Sequence, residues 1–462
     1  MLKKHSPDNQ DDLFRSRLDQ IINMKYELVI LSKIIDWDSF DSDFADCYCN
    51  DNGRGAKPIR LKIGLTILQS IYNLSDEAVC EDWVRDPYFQ YFCGEEFFCH
   101  NFPIDPTGLT RFRGKIGEEG INKILQETIR IGSNLKLIKS KKDLTEITID
   151  STTQEKNITY PTDSRLYNKA RKAVVKLANN NNINLRQNYN LLAKKALFMR
   201  GLYQRQRKNK LAKKQDRKLQ TYLRRVIADF ERKANKEQLQ ESQTIINRAR
   251  TILNQKINDK NKIYSWHEDN IICFSKGKMY KKYEFGSKAT IAATNKSNFI
   301  LSIITEGRNR HDSKILSESI VKTENNINQE IQKAFLDKGY RGNNYTNKEK
   351  LFISGQKKLS ITPTIRKKIK RRNAIEQINS VLKNYHRLNK SCLKGEIGDQ
   401  INANMAGLGY NFKRILQQIA KILFVQIFYQ EIQMEFQKLL LKTRNYIKLF
   451  GRSLSGKWVL QG

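Results

Sequence analysis

Apolar residues return every three or four positions through PIRLKIGLTILQSIYNL and again through GINKILQETIRIG, so residues 1 to about 135 are predicted to form a helical module. Ser75 stands where it can cap a helix through DEAVCEDWV, and Asp105 with Pro106 and Thr107 marks another helix start before GLTRFRGKIG. From about 143 the period changes to two. LTEITID, KKYEFGSKATIAATN and NFILSIITEG read as strands bounded by turns such as NKSN and EGRN, the last two forming a hairpin. KILSESIVKTENNI follows as a helix and KAFLD as a strand; after KLFIS and a TPT break, a long helix is predicted from about 366.

Between the first and second strands lies an insertion at about 165–262, too long to be a structureless loop in a compact domain. Leu219, Leu223, Val226 and Phe230 recur at helical spacing inside it, which predicts helices with an apolar seam and basic outer faces, turning at Asn179 to Asn182. The expected fold class is therefore α/β, a mixed sheet flanked by helices over 136–416. A helical module (1–135) precedes it, the basic helical insertion interrupts it, and a helical tail (417–462) follows.

Charge gives this plan a partner. The chain has 84 Lys and Arg against 48 Asp and Glu, a net +36 that points to a polyanion. From Arg165 to Lys236 alone, 22 basic residues face 3 acidic ones, a surplus of 19. The apolar run ILFV at 422–425 is too short to span a bilayer, so these charges are expected to meet nucleic acid and not lipid. Two short helices followed by a basic third have the look of a helix-turn-helix, which makes Arg111 and Arg113 candidate DNA contacts. MLKKHSPDNQDD lacks the apolar stretch of a secretory signal, so a cytoplasmic location is expected. Seven scattered cysteines argue against a disulfide framework. Cys47, Cys49, Cys93, Cys99 and His100 share one stretch without paired C-x-x-C spacing, and read as small buried thiols in preference to a zinc site.

Three carboxylates carry the candidate chemistry. Asp150 follows the alternation of EITID, Asp337 ends KAFLD, and Glu376 lies on the basic helix RRNAIEQINSVLK. Singly, each has an ordinary role: two turn formers and a helical ion-pair partner for Arg371 or Arg372. Jointly, they have the order expected of three ligands that meet only in the fold. Carboxylate oxygens suit magnesium or manganese, and two such ions stabilise both the attacking and the leaving oxygen of a displacement at phosphorus. Asp312 in RNRHDSKIL competes for the second position but reads as the cap of the following helix, whereas Asp337 has a strand-then-turn context. Beside Asp337, Gly339 permits a tight turn, and Tyr340 and Arg341 are candidate DNA contacts. His267 and His386 lack the partner spacing of a hydrolytic site.

ITIDSTTQEKNITYPTDSRL, KKYEFGSKATIAATN, AFLDKGYRG, FISGQKK, TPTI and IEQINSVLKNYHRLNKSCLKGEIGDQINANMAGLGYNFKRIL together resemble the DDE transposases of bacterial insertion sequences, specifically the insertion-sequence-five group. GRGAKPIRLKIGLTILQSIYNLSDEAVCEDWVRDPYFQYFCGEEFF and IDPTGLTRFRGKIGEEG resemble the helical module that precedes the catalytic domain in that group. The resemblance runs from about 50 to 416. It implies a ribonuclease-H-like core in which Asp150, Asp337 and Glu376 bind two Mg2+ ions, with Mn2+ as a substitute. It further implies that metal-activated water cuts double-stranded DNA at the element's ends and that the freed 3′ hydroxyl attacks target DNA. The enzyme would act as a homodimer or larger synaptic assembly near the nucleoid. The family's glutamate region reads Tyr, two residues, Arg, three residues, Glu, six residues, Lys. Arg372, Glu376 and Lys383 fit, the first and last as phosphate contacts, but Ile369 stands at the tyrosine position. That departure and the unmatched tail favour one rival, an inactive DNA-binding relic; a stand-alone metal-dependent nuclease that cuts without joining is the second.

Overall fold

The computed structural model describes residues 16–455 apart from 49–54, 257, 260–261, 269, 276–280, 308–309 and 357–360. Ahead of the sheet come helices α1 (Leu18–Ile21), α2 (Glu27–Ile34), α3 (Trp37–Phe44), α4 (Ile59–Tyr72), α5 (Asp76–Arg85), α6 (Pro87–Phe92), α7 (Pro106–Asn134) and the short α8 (Lys141–Thr145). Helix α4 is buried on every side from Leu61 to Ile71, which makes it the centre around which the others pack. Both predicted caps are present: Ser75 Oγ accepts from the Ala78 amide at 3.0 Å and Asp105 Oδ1 from the Thr107 amide at 2.9 Å. Helix α7 bends at Gly117, whose φ of 63° and ψ of −162° only glycine adopts freely.

The sheet is built on β1 (Glu146–Glu155), with β2 (Ile272–Ser275), β3 (Tyr283–Thr294), β4 (Ile300–Glu306), β5 (Lys333–Leu336) and β6 (Leu351–Ile353). β1 runs antiparallel to β3 and parallel to β5; β4 lies antiparallel to β3, and β6 parallel to β5. The order β4–β3–β1–β5–β6 is ribonuclease-H-like, as expected. Strand β2, which the sequence reading lacks, adds to β3 at Tyr283–Gly286 beside the stretch that pairs β4. At that junction Gly286 lies so close to β1 that a Cβ would collide with the Gln154 carbonyl. Helix α13 (Asp312–Ile327) links β4 to β5.

The insertion between β1 and β2 is four helices, α9 (Asp163–Asn180), α10 (Asn190–Arg205), α11 (Asn209–Lys233) and α12 (Lys236–Asn254). The predicted seam of Leu219, Leu223, Val226 and Phe230 is buried against Leu166, Val174, Ile246 and Ile252 in a core of its own. The single helix predicted from about 366 is two, α14 (Pro363–Arg371) and α15 (Ala374–Tyr385), broken at Arg372 and Asn373. Last comes α16 (Gly395–Ser455), whose first part packs against α4, α7 and β4. One hydrophobic core therefore runs from Leu28, Ile63 and Trp83 through Ile147 and Leu336 to Leu408 and Phe412. Buried Asn411 ties it together: its Oδ1 accepts from the Ile300 amide at 3.1 Å, and its Nδ2 donates to the Ile300 carbonyl and Thr128 Oγ1, each at 2.9 Å. No helix among the described residues is long and apolar enough to cross a membrane.

Candidate active site

Parallel pairing of β1 with β5 sets Ile149 against Leu336, so Asp150 and Asp337, the next residue on each strand, come side by side. Burial in the sheet lifts the Asp150 carboxyl to about 6; Asp337 and Asp312 add to the rise, while the Ser151 backbone hydrogen bond and the Arg372 charge oppose it. Arg372, in the break between α14 and α15, points Nη2 at Asp337 Oδ1, 3.6 Å away. Helix α15 buries Ile375, Ile378 and Leu382 against β3 and β4, which turns the row Glu376, Asn379 and Lys383 away from that packed face. In this row Asn379 reaches the site: its Nδ2 donates to Asp150 Oδ2 at 3.1 Å. Glu376, one turn earlier, is exposed. Among the described residues, no three His, Cys, Asp or Glu side chains converge as a metal-holding cluster, either here or around Cys47, Cys93, Cys99 and His100; Cys49 lies outside the described residues.

Residues 16–115 match the family described as Transposase domain (DUF772), and residues 272–412 the family described as Transposase DDE domain. The chain is also 43% identical over 187 residues to the uncharacterized protein ORF8 in the nfe locus of Rhizobium meliloti, across 40% of this chain and 89% of that protein. The chain belongs to the DDE transposases of insertion sequences. No solved structure matches it. The transposase is thus a DNA-binding enzyme of a family that uses divalent metal ions. Its DDE-domain match begins at Ile272, after the insertion, so Asp150 lies outside it and joins it through the pairing of β1 with β3 and β5.

Two of the expected DNA contacts are corrected by burial. Tyr340 is 1% exposed and its hydroxyl lies 3.0 Å from Ser151 Oγ, which in turn lies 3.0 Å from Thr290 Oγ1. Burial, with Asp312, Asp150 and Asp337 nearby, pushes that phenol far up, so it fastens β5 to β1 and β3 as a neutral group. Arg113 is 5% exposed and grips Asp76 with both terminal nitrogens, at 2.9 and 2.6 Å. Arg111 is exposed, and so is Arg341, which also donates to the Gly355 carbonyl at 2.9 Å; Lys383 is half-buried on α15. Asp312 is not the cap of α13, a role taken by His311. Its carboxylate meets Lys288 Nζ at 3.0 Å and lies next to Gly339, where a Cβ would sit 3.2 Å from Oδ2. Asn379 and Asp312 are the site neighbours that sequence reasoning missed or set aside; the signal for Asn379 was its place three residues after Glu376 on one helix face.

The residues fit a divalent cation. Asp150 and Asp337 offer hard oxygens from adjacent strands, and Asn379 Oδ1 is buried without a hydrogen-bond partner beside them. The raised Asp150 carboxyl is the group a nearby cation would return to its charged form.

Proposed function

We propose that this transposase belongs to the insertion-sequence-five group and that Asp150, Asp337 and Glu376 hold two Mg2+ ions, for which Mn2+ substitutes. The adjacency of Asp150 and Asp337, with Asn379 joined to Asp150 one turn beyond Glu376, carries this reading. When bound, the ions supply charge that stabilises the attacking and leaving oxygens of phosphodiester displacement. The protein's own groups do the rest. Arg372, beside Asp337, and Lys383, two turns after Glu376 on α15, hold DNA phosphates; Asn379 fixes the Asp150 carboxylate; the Tyr340–Ser151–Thr290 chain keeps β1 and β5 in register under it. Exposed Arg111 and Arg341, and the basic outer faces of α9 to α12, track the duplex. Cleavage at the element's ends and joining of the freed 3′ hydroxyl to target DNA follow at one centre, in an assembly of at least two copies.

The test is strand cleavage and strand transfer by the purified protein on DNA carrying its element ends, with Mg2+, with Mn2+ and with chelator. Asp150→Ala, Asp337→Ala and Glu376→Gln are each expected to abolish both steps and to retain DNA binding. Cleavage retained by any of the three removes that residue from the site. Free ends that are never joined select the stand-alone nuclease. Binding without cutting under every metal condition selects the inactive relic, for which Ile369 at the tyrosine position is the favouring observation.

A further inference from the structure

Past Ile419, the last core residue of α16, the helix continues with its large apolar side chains in solvent: Val425 is 63% exposed, Tyr429 60%, Phe436 61% and Leu439 61%. These positions are not scattered. Ile422, Val425, Tyr429, Ile432, Phe436 and Leu439 alternate by three and four residues, and the sequence carries the spacing on to Thr443, Tyr446 and Phe450. From Ile422 to Leu439 that is an a/d heptad seam of six apolar residues, and the sequence beyond keeps its spacing with the polar Thr443 in the row. A second apolar row, Phe424, Ile427, Met434 and Leu441, is interrupted at the same spacing by Glu431 and Lys438, so only one face is continuous.

We infer that this seam docks onto the same helix of a second copy of the chain. Charge argues for that occupant. In a protein of net +36, residues 422–441 hold only Glu431, Glu435 and Lys438, so two copies meet here without the repulsion of the rest, and the segment offers little to DNA. Area argues likewise. Six seam side chains, each with roughly half its surface free, give on the order of 600 Å2 per copy or about 1,200 Å2 for the pair, the lower edge of a specific stable interface. This deepens the multi-copy reading above by naming the surface, and it stands or falls apart from the metal chemistry.

The experiment is sedimentation equilibrium of the full-length protein without DNA across the micromolar range. Wild type is expected at twice its 54.1 kDa chain mass. Ile432→Glu with Leu439→Glu, in the seam, is expected to be monomeric, with association at least tenfold weaker. Ile427→Glu with Leu441→Glu, in the interrupted row, is expected to remain dimeric. All four positions are solvent-exposed, so near-ultraviolet circular dichroism and the thermal midpoint of the body should not change. A monomeric wild type, including one that pellets with phospholipid vesicles, overturns the inference; so does a dimeric seam variant, or equal weakening in both variants. Pairing of element ends that survives the seam variant would leave the catalytic reading intact while removing the tail from it.

Discussion

Arg113 illustrates how a buried charge differs from a surface one two residues away. It lies in the same helical row as Leu109, Phe112, Ile116 and Gly120, all buried, so the period that marks the core face already included it. Its charged partner, Asp76, stands 37 positions earlier and, with the Gln69 and Thr110 side chains, offsets the cost of that burial; sequence spacing says nothing of such a partner. Arg113→Met should therefore destabilise the fold by about 1–3 kcal/mol, because it strips the half-buried Asp76 carboxylate of its counter-charge and leaves it only the hydrogen bonds from Gln69 and Thr110. Arg111→Ala should leave the thermal midpoint unchanged and weaken DNA binding. Acid should act at the same pair. Burial raises the Asp76 carboxyl, but hydrogen bonds and charge from Arg113, helped by Gln69 and Thr110, outweigh it and hold the group below its ordinary 3.8. Its stabilising contribution is thus complete above about pH 4 and lost as pH falls through the folded value; Asp76→Asn should flatten that acid limb in a pH series of thermal midpoints. Asn379→Ala frees the Asp150 carboxylate and should lower single-turnover cleavage roughly 10- to 100-fold at unchanged DNA affinity, the size of effect seen when a group orienting a metal ligand is removed. An unaltered cleavage rate would show that the amide does not orient Asp150.

At the level of elements, what the sequence displayed was periodicity. β1, β3, β4, β5 and α13 all fall where apolar runs bounded by turns, or helical spacing, mark them, although the strands are largely buried on both faces. β2 was illegible because its four residues carry no alternation to read and it exists only through pairing with β3. The break at Arg372 and Asn373 was illegible for another reason: neither residue is a helix breaker, and the interruption comes from α14 and α15 docking separately, with Arg371 donating to the Asn295 carbonyl. The basic insertion announced helices but not their number, because a four-helix core needs packing between α9, α11 and α12 that no single amphipathic face specifies. Its outward charges are separable from that core. Lys213, Lys214, Arg217 and Lys218 on α11 are all exposed, and converting the four to Gln should leave helicity unchanged. If they touch phosphates, the plot of log affinity against log salt should become shallower by up to about 4, close to one unit for each phosphate no longer neutralised. An unchanged slope would take α11 off the DNA.

For the whole molecule, the decisive fact is that the N-terminal helices and the sheet share one core, threaded by the buried part of α16, while α9 to α12 enclose another. Native-state hydrogen exchange should accordingly show α4, α7, β1, β3 and residues 403–419 opening together at the highest free energy, and the insertion opening as a separate unit. A composition-based view could not anticipate this, because it treats the helical module and the sheet as neighbours along the chain and Asn411 joins them across it. The unbroken course of α16 from that core into its tail has a mechanical corollary. Over 61 residues, about 90 Å of continuous helix, rotation at one end is transmitted to the other. One residue inserted after Ala420 turns everything beyond it by about 100° against the body, whereas seven return it to within about 20°. Copies coupled through their tails are thereby geared: the single insertion should keep them joined yet misalign their active centres, sparing nicking of an isolated end but not concerted transfer of two, and the seven-residue insertion should bring concerted transfer back.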